Sequence, residues 1–123
     1  MIEFLEFNKL DIVATRVTGK ITKKDFDVLK SELIKKFDQY ENLKWFYEMA
    51  DFKGWELNTF FDDLKFSLKS KKKFSRMAFV GDKFIEDIMA KFYQLIAPAE
   101  VKYFQIQDWE SAYEWIKYGI NKR

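Results

Sequence analysis

Apolar positions along this chain switch repeatedly between the two-residue spacing of strands and the three-to-four-residue spacing of helices. Residues 2–7 and 10–18 predict two strands joined tightly around Asn8 and Lys9. In the second, Ile12, Ala14 and Arg16 alternate with Val13, Thr15 and Val17, a β-branched pattern that suits a pleated surface. Gly19 breaks that pattern. Thr22, Lys23, Lys24 and Asp25 then have the form of a capping box, with Asp in place of the usual Glu. Phe26, Leu29, Leu33 and Phe37 follow as one stripe of a helix. Residues 43–49 predict a third strand, which ends in a turn at Gly54. A second helix is expected over 58–71. Residues 76–80 form a short apolar run bounded by Gly81 and Asp82, the form of a central strand. A third helix is expected over 83–96, where Pro98 forbids much continuation. Residues 101–106 predict the last strand. Asp108 caps a final helix, with Glu110 in its first turn and Lys117 in its last, as the helix dipole favours.

The resulting order is ββαβαβαβα. Strands that alternate with helices imply parallel pairing through right-handed crossovers, and the opening hairpin adds an antiparallel edge. The expectation is a single α/β domain over 1–123, with a mixed, mostly parallel five-stranded sheet and four helices.

The helices carry more large apolar groups than a sheet-facing side needs. Leu57, Phe60, Phe61, Leu64 and Leu68 make one face of the second helix, while Phe66 lies opposite it. On the third, Phe84, Ile85, Ile88, Met89, Phe92, Leu95 and Ile96 span a wide arc. On the last, Trp109, Ala112, Tyr113, Ile116 and Ile120 are expected to face inward, with Trp115 and Tyr118 off that face. Scattered surface aromatics, a self-association patch and a pocket for an apolar ligand all fit this surplus.

Composition removes several chemistries. The 123 residues suffice for one domain with a real core, and 48% hydrophobic against 34% charged content reads as globular rather than disordered. A net charge of +2 gives no ground for a nucleic-acid partner. With no cysteine there is neither disulfide nor thiol nucleophile; with no histidine, the commonest zinc ligand and the commonest neutral-pH base are gone. Asp62 and Asp63 are adjacent, so on a helix they diverge and cannot converge on one substrate atom. They and the cations of 69–73 read as ordinary partners of helix ends. No basic leader opens the chain, and no apolar run reaches the length of a membrane span, so a cytoplasmic protein without stable membrane insertion is expected.

Three stretches resemble the SpoIIAA-like family, small domains related to the STAS domains of anti-sigma-factor antagonists. They are RVTGKITKKDF at 16–26, DFKGWELNTFFDDLKFSLK at 51–69, and RMAFVGDKFIEDIMAKF at 76–92 followed by AEVKYFQIQDWESAYEWI at 99–116. The resemblance implies a mixed sheet with helices packed on it, and often a homodimer. It also implies partner switching through a phosphorylated serine where the third strand turns into the second helix. The matching residues 51–58 contain no serine, and the nearest hydroxyl is Thr59, followed by Phe60 and Phe61. STAS-like folds also resemble lipid-carrying CRAL-TRIO domains.

Together these readings predict a non-enzymatic binding or interaction module without cofactor or metal, acting as a homodimer. An apolar groove between the second and third helices would take a small hydrophobic or lipid-like ligand or a protein partner. Its ligand or interface residues would be Trp55, Phe61, Phe66, Phe84, Met89 and Phe92, with Trp55 and Phe92 as anchors. The alternative is a phosphorylation-switched regulator with Thr59 as the acceptor.

Overall fold

The computed structural model describes residues 1–55, 73–81 and 99–119. Five strands form one sheet in the order β1-β2-β3-β4-β5: β1 (Ile2–Phe4), β2 (Ile12–Ile21), β3 (Asn42–Trp55), β4 (Lys73–Val80) and β5 (Glu100–Phe104). β1 pairs antiparallel with β2, and the β2–β3, β3–β4 and β4–β5 ladders are parallel, so the sheet is mixed. Two helices stand among the described residues, α1 (Lys23–Phe37) and α2 (Trp109–Tyr118). The other two of the expected four, over 58–71 and 83–96, lie outside the described residues.

Two boundaries differ from the sequence expectation for one reason. β2 does not stop at Gly19. Gly19 adopts φ +64°, and the ladder to β3 slips around it, from Val17 opposite Met49, to Gly19 opposite Phe52, to Lys20 opposite Gly54. This bulge absorbs a left-handed residue, so the strand resumes beyond it. β3 gains a partner for its own extension and runs through Gly54 to Trp55, where a turn was expected. At the other end, the β1–β2 connection is longer than a tight turn at Asn8 and Lys9. β1 ends at Phe4 and β2 begins at Ile12.

The sheet is buried on both faces, and strand alternation divides its residues between them. One face carries Val13, Val17, Trp45, Tyr47, Met77 and Phe79, and meets Phe26, Leu29, Leu33 and Phe37 of α1. The opposite face carries Ala14, Phe46, Ala78, Val80 and Phe104, and meets Ala112, Trp115 and Ile116 of α2. Between β2 and β3, the buried Trp45 indole N–H donates to the Thr15 hydroxyl at 3.0 Å.

α1 begins as its sequence predicts. The Asp25 N–H donates to the Thr22 hydroxyl at 3.2 Å, and the Thr22 N–H donates to the Asp25 carboxylate at 2.9 Å, a reciprocal capping box. Burial opposes the Asp25 charge, but hydrogen bonds from Thr22 and the N-terminal ammonium at 3.6 Å outweigh it and hold its pKa below the usual carboxylate value. A lowered folded-state pKa stabilises the fold above the unfolded-state value of about 3.9, and that contribution disappears as pH falls through the folded-state value. Asp25→Asn is therefore expected to lose stability at pH 7 and to lie closer to wild type at pH 2–3. Urea unfolding across that range measures it, and a pH-independent difference would remove the charge from the account.

α2 sits rotated from its expected inward face. Trp115 and Ile116 are buried, whereas Trp109 is 42% exposed. Both candidate stripes contain Ala112 and Ile116, so helical spacing alone does not separate them. The fold separates them by what Trp115 finds: Phe104 at 6.1 Å between ring centroids, and the Lys102 ammonium 5.7 Å from its own ring. Asp108 occupies the N-cap position after a 3-10 turn (Ile106–Asp108), but its side chain makes no capping hydrogen bond. The C-terminus closes at Gly119 with φ +72°, a left-handed cap. The Arg76 guanidinium donates to the Trp115 carbonyl at 2.8 Å, and a Cβ at Gly119 would meet it at 2.7 Å. Glycine at 119 thus serves both the backbone angle and the room Arg76 needs.

Candidate functional site

α2 contacts β3, β4 and β5 on its face of the sheet, which leaves the β1–β2 end of that face to other cover. The cover is the connection between β1 and β2. Its backbone turns through Leu10, whose φ of +55° is rare for a residue with a side chain. Side chains from elsewhere hold it there. The Lys36 ammonium of α1 donates to the Leu10 carbonyl at 2.7 Å, and burial of that ammonium lowers its pKa. Asn8 accepts from the Ala14 N–H at 2.9 Å and donates to the Glu32 carboxylate at 2.9 Å. Asp11 pairs with Lys44 at 3.2 Å.

So fixed, the connection lays Phe7 on the sheet. Its ring meets Phe46 edge-on at 4.9 Å between centroids and Tyr113 of α2 at 4.2 Å. Between the connection and α2 lies an open cleft of about 880 Å³. Its floor is aromatic, made by Phe7 and Tyr113 with the fully buried Phe46 beneath them. Ile106 and Trp109 stand at the lip, 37% and 42% exposed.

Arg16 and Glu48 also line the cleft, side by side on β2 and β3. The Arg16 Nε–H donates to Glu48 at 2.6 Å. That hydrogen bond raises the Arg16 pKa above its already high ordinary value, against the opposing effect of burial. Glu3 of β1 approaches the same guanidinium at 3.8 Å. Glu48 is 9% exposed, with its carboxylate held by Arg16. The rim carries Glu6 and Lys9 from the connection and Glu110, Glu114 and Lys117 from α2. The Lys117 ammonium lies 4.3 Å from the Tyr113 ring centroid and 4.9 Å from that of Tyr118. Hydrogen bonding to Tyr118, and more weakly to Tyr113, raises its pKa.

The described lining contains no Ser, Thr, Cys or His; it supplies aromatic faces, glutamates, lysines and the Arg16–Glu48 pair. Among the described residues no three acidic side chains gather to hold a metal ion, and no helix is long and apolar enough to cross a membrane.

Of the residues expected at a site, Trp55 closes β3 with its backbone opposite Ile21. Thr59, Phe61, Phe66, Phe84, Met89 and Phe92 lie outside the described residues. The cleft beside α2 was missed. Its signal in the sequence was charge inside otherwise apolar strands, Arg16 after Ala14 and Glu48 after Phe46. Charges at such positions are paired or functional.

Comparison with known proteins identifies the fold. A solved structure of an uncharacterized protein of the DUF3478 family from Shewanella loihica PV-4, with a SpoIIAA-like fold, superposes with a TM-score of 0.69. The two are 24% identical over 94% of this chain and 93% of that one. No curated protein matches the sequence. The family model described as SpoIIAA-like matches residues 12–117, from the start of β2 to the last turn of α2, and the chain belongs to the SpoIIAA-like family.

Proposed function

We propose that this protein is a non-enzymatic binding module whose working surface is the cleft between the β1–β2 connection and α2. The observation that carries the reading is the aromatic floor of Phe7 and Tyr113, backed by the buried Phe46 and set beside the Arg16–Glu48 pair. Apolar walls with a few polar groups to orient the occupant are what small-molecule sites use, and about 880 Å³ falls in their usual size range. The same reading also retains homodimerisation through surplus apolar surface as a proposal.

A neutral bicyclic probe, 1-naphthalenemethanol, tests the cleft. Titrated into uniformly ¹⁵N-labelled protein, it is expected to shift the amides of Phe7, Arg16, Trp109 and Tyr113 together and saturably. Tyr113→Ala should weaken that binding about tenfold, the loss of one aromatic wall. Shifts confined to other parts of the chain, or none up to the solubility limit, would overturn the reading. Native mass spectrometry of the same sample reports whether the chain is a dimer.

A further inference from the structure

We infer that the cleft selects amphipathic cations, small molecules with an apolar or aromatic body and an ammonium group. The inference rests on the cleft being a binding site and adds the charge of its occupant.

Charge balance is the first argument. Four carboxylates line the cleft, those of Glu6, Glu48, Glu110 and Glu114, against three cations, Lys9, Arg16 and Lys117. Two of the cations are already engaged. Arg16 is held by Glu48 at 2.6 Å and approached by Glu3 at 3.8 Å, and Lys117 lies on the rings of Tyr113 and Tyr118. Arg16 and Glu48 satisfy each other, so an incoming anion would meet Glu6, Glu110 and Glu114 against Lys9 and Lys117. An incoming cation would meet Glu6 on one wall and Glu110 and Glu114 on the other.

The second argument is independent of the acids. The Lys117 ammonium, 4.3 Å from the Tyr113 centroid, shows that this ring already receives an alkylammonium. The chain's own lysine therefore occupies a position that a ligand ammonium can contest, and the neighbouring ring of Phe7 offers an apolar body its contact at 4.2 Å from Tyr113. Trp109, exposed at the lip, adds a further π-face.

A charge series on one skeleton tests this at pH 7: 1-naphthylmethylammonium, 1-naphthalenemethanol and 1-naphthoate, each titrated by the ¹⁵N amide shifts of Phe7, Arg16, Trp109 and Tyr113 and by the Trp109 indole ¹⁵N–H. The cation is expected to bind about tenfold more tightly than the alcohol, and the carboxylate to be the weakest. Raising salt should shrink the cation's advantage and leave the alcohol unchanged. Lys117→Met, which removes the resident ammonium from a half-buried position and keeps an apolar stem there, should tighten the cation about fivefold. Glu110→Gln with Glu114→Gln should weaken it about fivefold without moving the alcohol. Equal affinities for the three probes, a preference for naphthoate, or a cation indifferent to these substitutions would overturn the inference while the alcohol's binding leaves the cleft standing. Failure of all three probes at the cleft amides overturns both.

Discussion

Phe46→Ala is expected to destabilise the protein by about 3–5 kcal/mol, the cost of emptying a fully buried aromatic position. Phe46 is 0% exposed and touches both layers of its face of the sheet. Phe7 stands edge-on to it, and α2 closes over the same cluster through Ala112 and Ile116. Collapse onto the gap is resisted from the two flanking strands, because the β2 and β4 ladders fix its neighbours Ala14 and Ala78, neither of which has side-chain length to spare. A domain of this size has a total stability of about 5–15 kcal/mol, so the variant would lose a large share of it. Phe46→Leu keeps most of the volume and should lose about 1–1.5 kcal/mol. Urea unfolding followed by circular dichroism measures both. A loss under about 1 kcal/mol for the alanine variant would mean that Phe7 or solvent fills the space, and that the cleft floor is soft.

The second large effect comes from breaking the Arg16–Glu48 pair. Arg16→Met leaves the Glu48 carboxylate nearly buried and without its main hydrogen-bond partner, and Glu48→Met leaves a guanidinium over an apolar floor. Fully buried pairs lose about 3–5 kcal/mol on such single changes. The Arg16 side chain is 39% exposed, so solvent screening reduces the expected loss here to about 2 kcal/mol for each single variant. Replacing both residues by Met removes the unpaired charge and should leave the protein within about 1 kcal/mol of wild type. With the double variant about 1 kcal/mol below wild type, a double-mutant cycle gives a coupling of about 3 kcal/mol. Additive single effects would show that the two charges are stabilised separately, by water or by Glu3, rather than by each other.

Features set by near neighbours were legible in the sequence. Thr22 and Asp25 lie within one helical turn, and the stripe of Phe26, Leu29, Leu33 and Phe37 needs only the helix that carries it. The order of the five strands followed from the same local periodicities. What failed depended on partners distant in the chain. Gly19 reads as a breaker in isolation, and only the slipped ladder to β3 turns it into a bulge that lengthens both strands. Trp109 and Trp115 each lie three residues from Ala112, on opposite sides of it, and only Phe104 and Lys102 select which one turns inward. The cleft was illegible for the same reason. Phe7 and Tyr113 belong to opposite ends of the chain, and no spacing rule brings them to 4.2 Å.

The tethers of Asn8 and Leu10 bear on the entropy of binding. Residues that wall a ligand site commonly surrender conformational freedom when the ligand arrives, and that loss is subtracted from affinity. Here one wall is ordered beforehand. Asn8 is bonded to Ala14 and Glu32, and the Leu10 carbonyl to Lys36. Glu32 and Lys36 belong to α1, on the far side of the sheet from the cleft, so the helix that never touches an occupant holds half of its enclosure in shape. Affinity at this cleft should then follow complementarity of shape and charge, with little penalty for closing it, and loosening α1 should weaken binding from a distance.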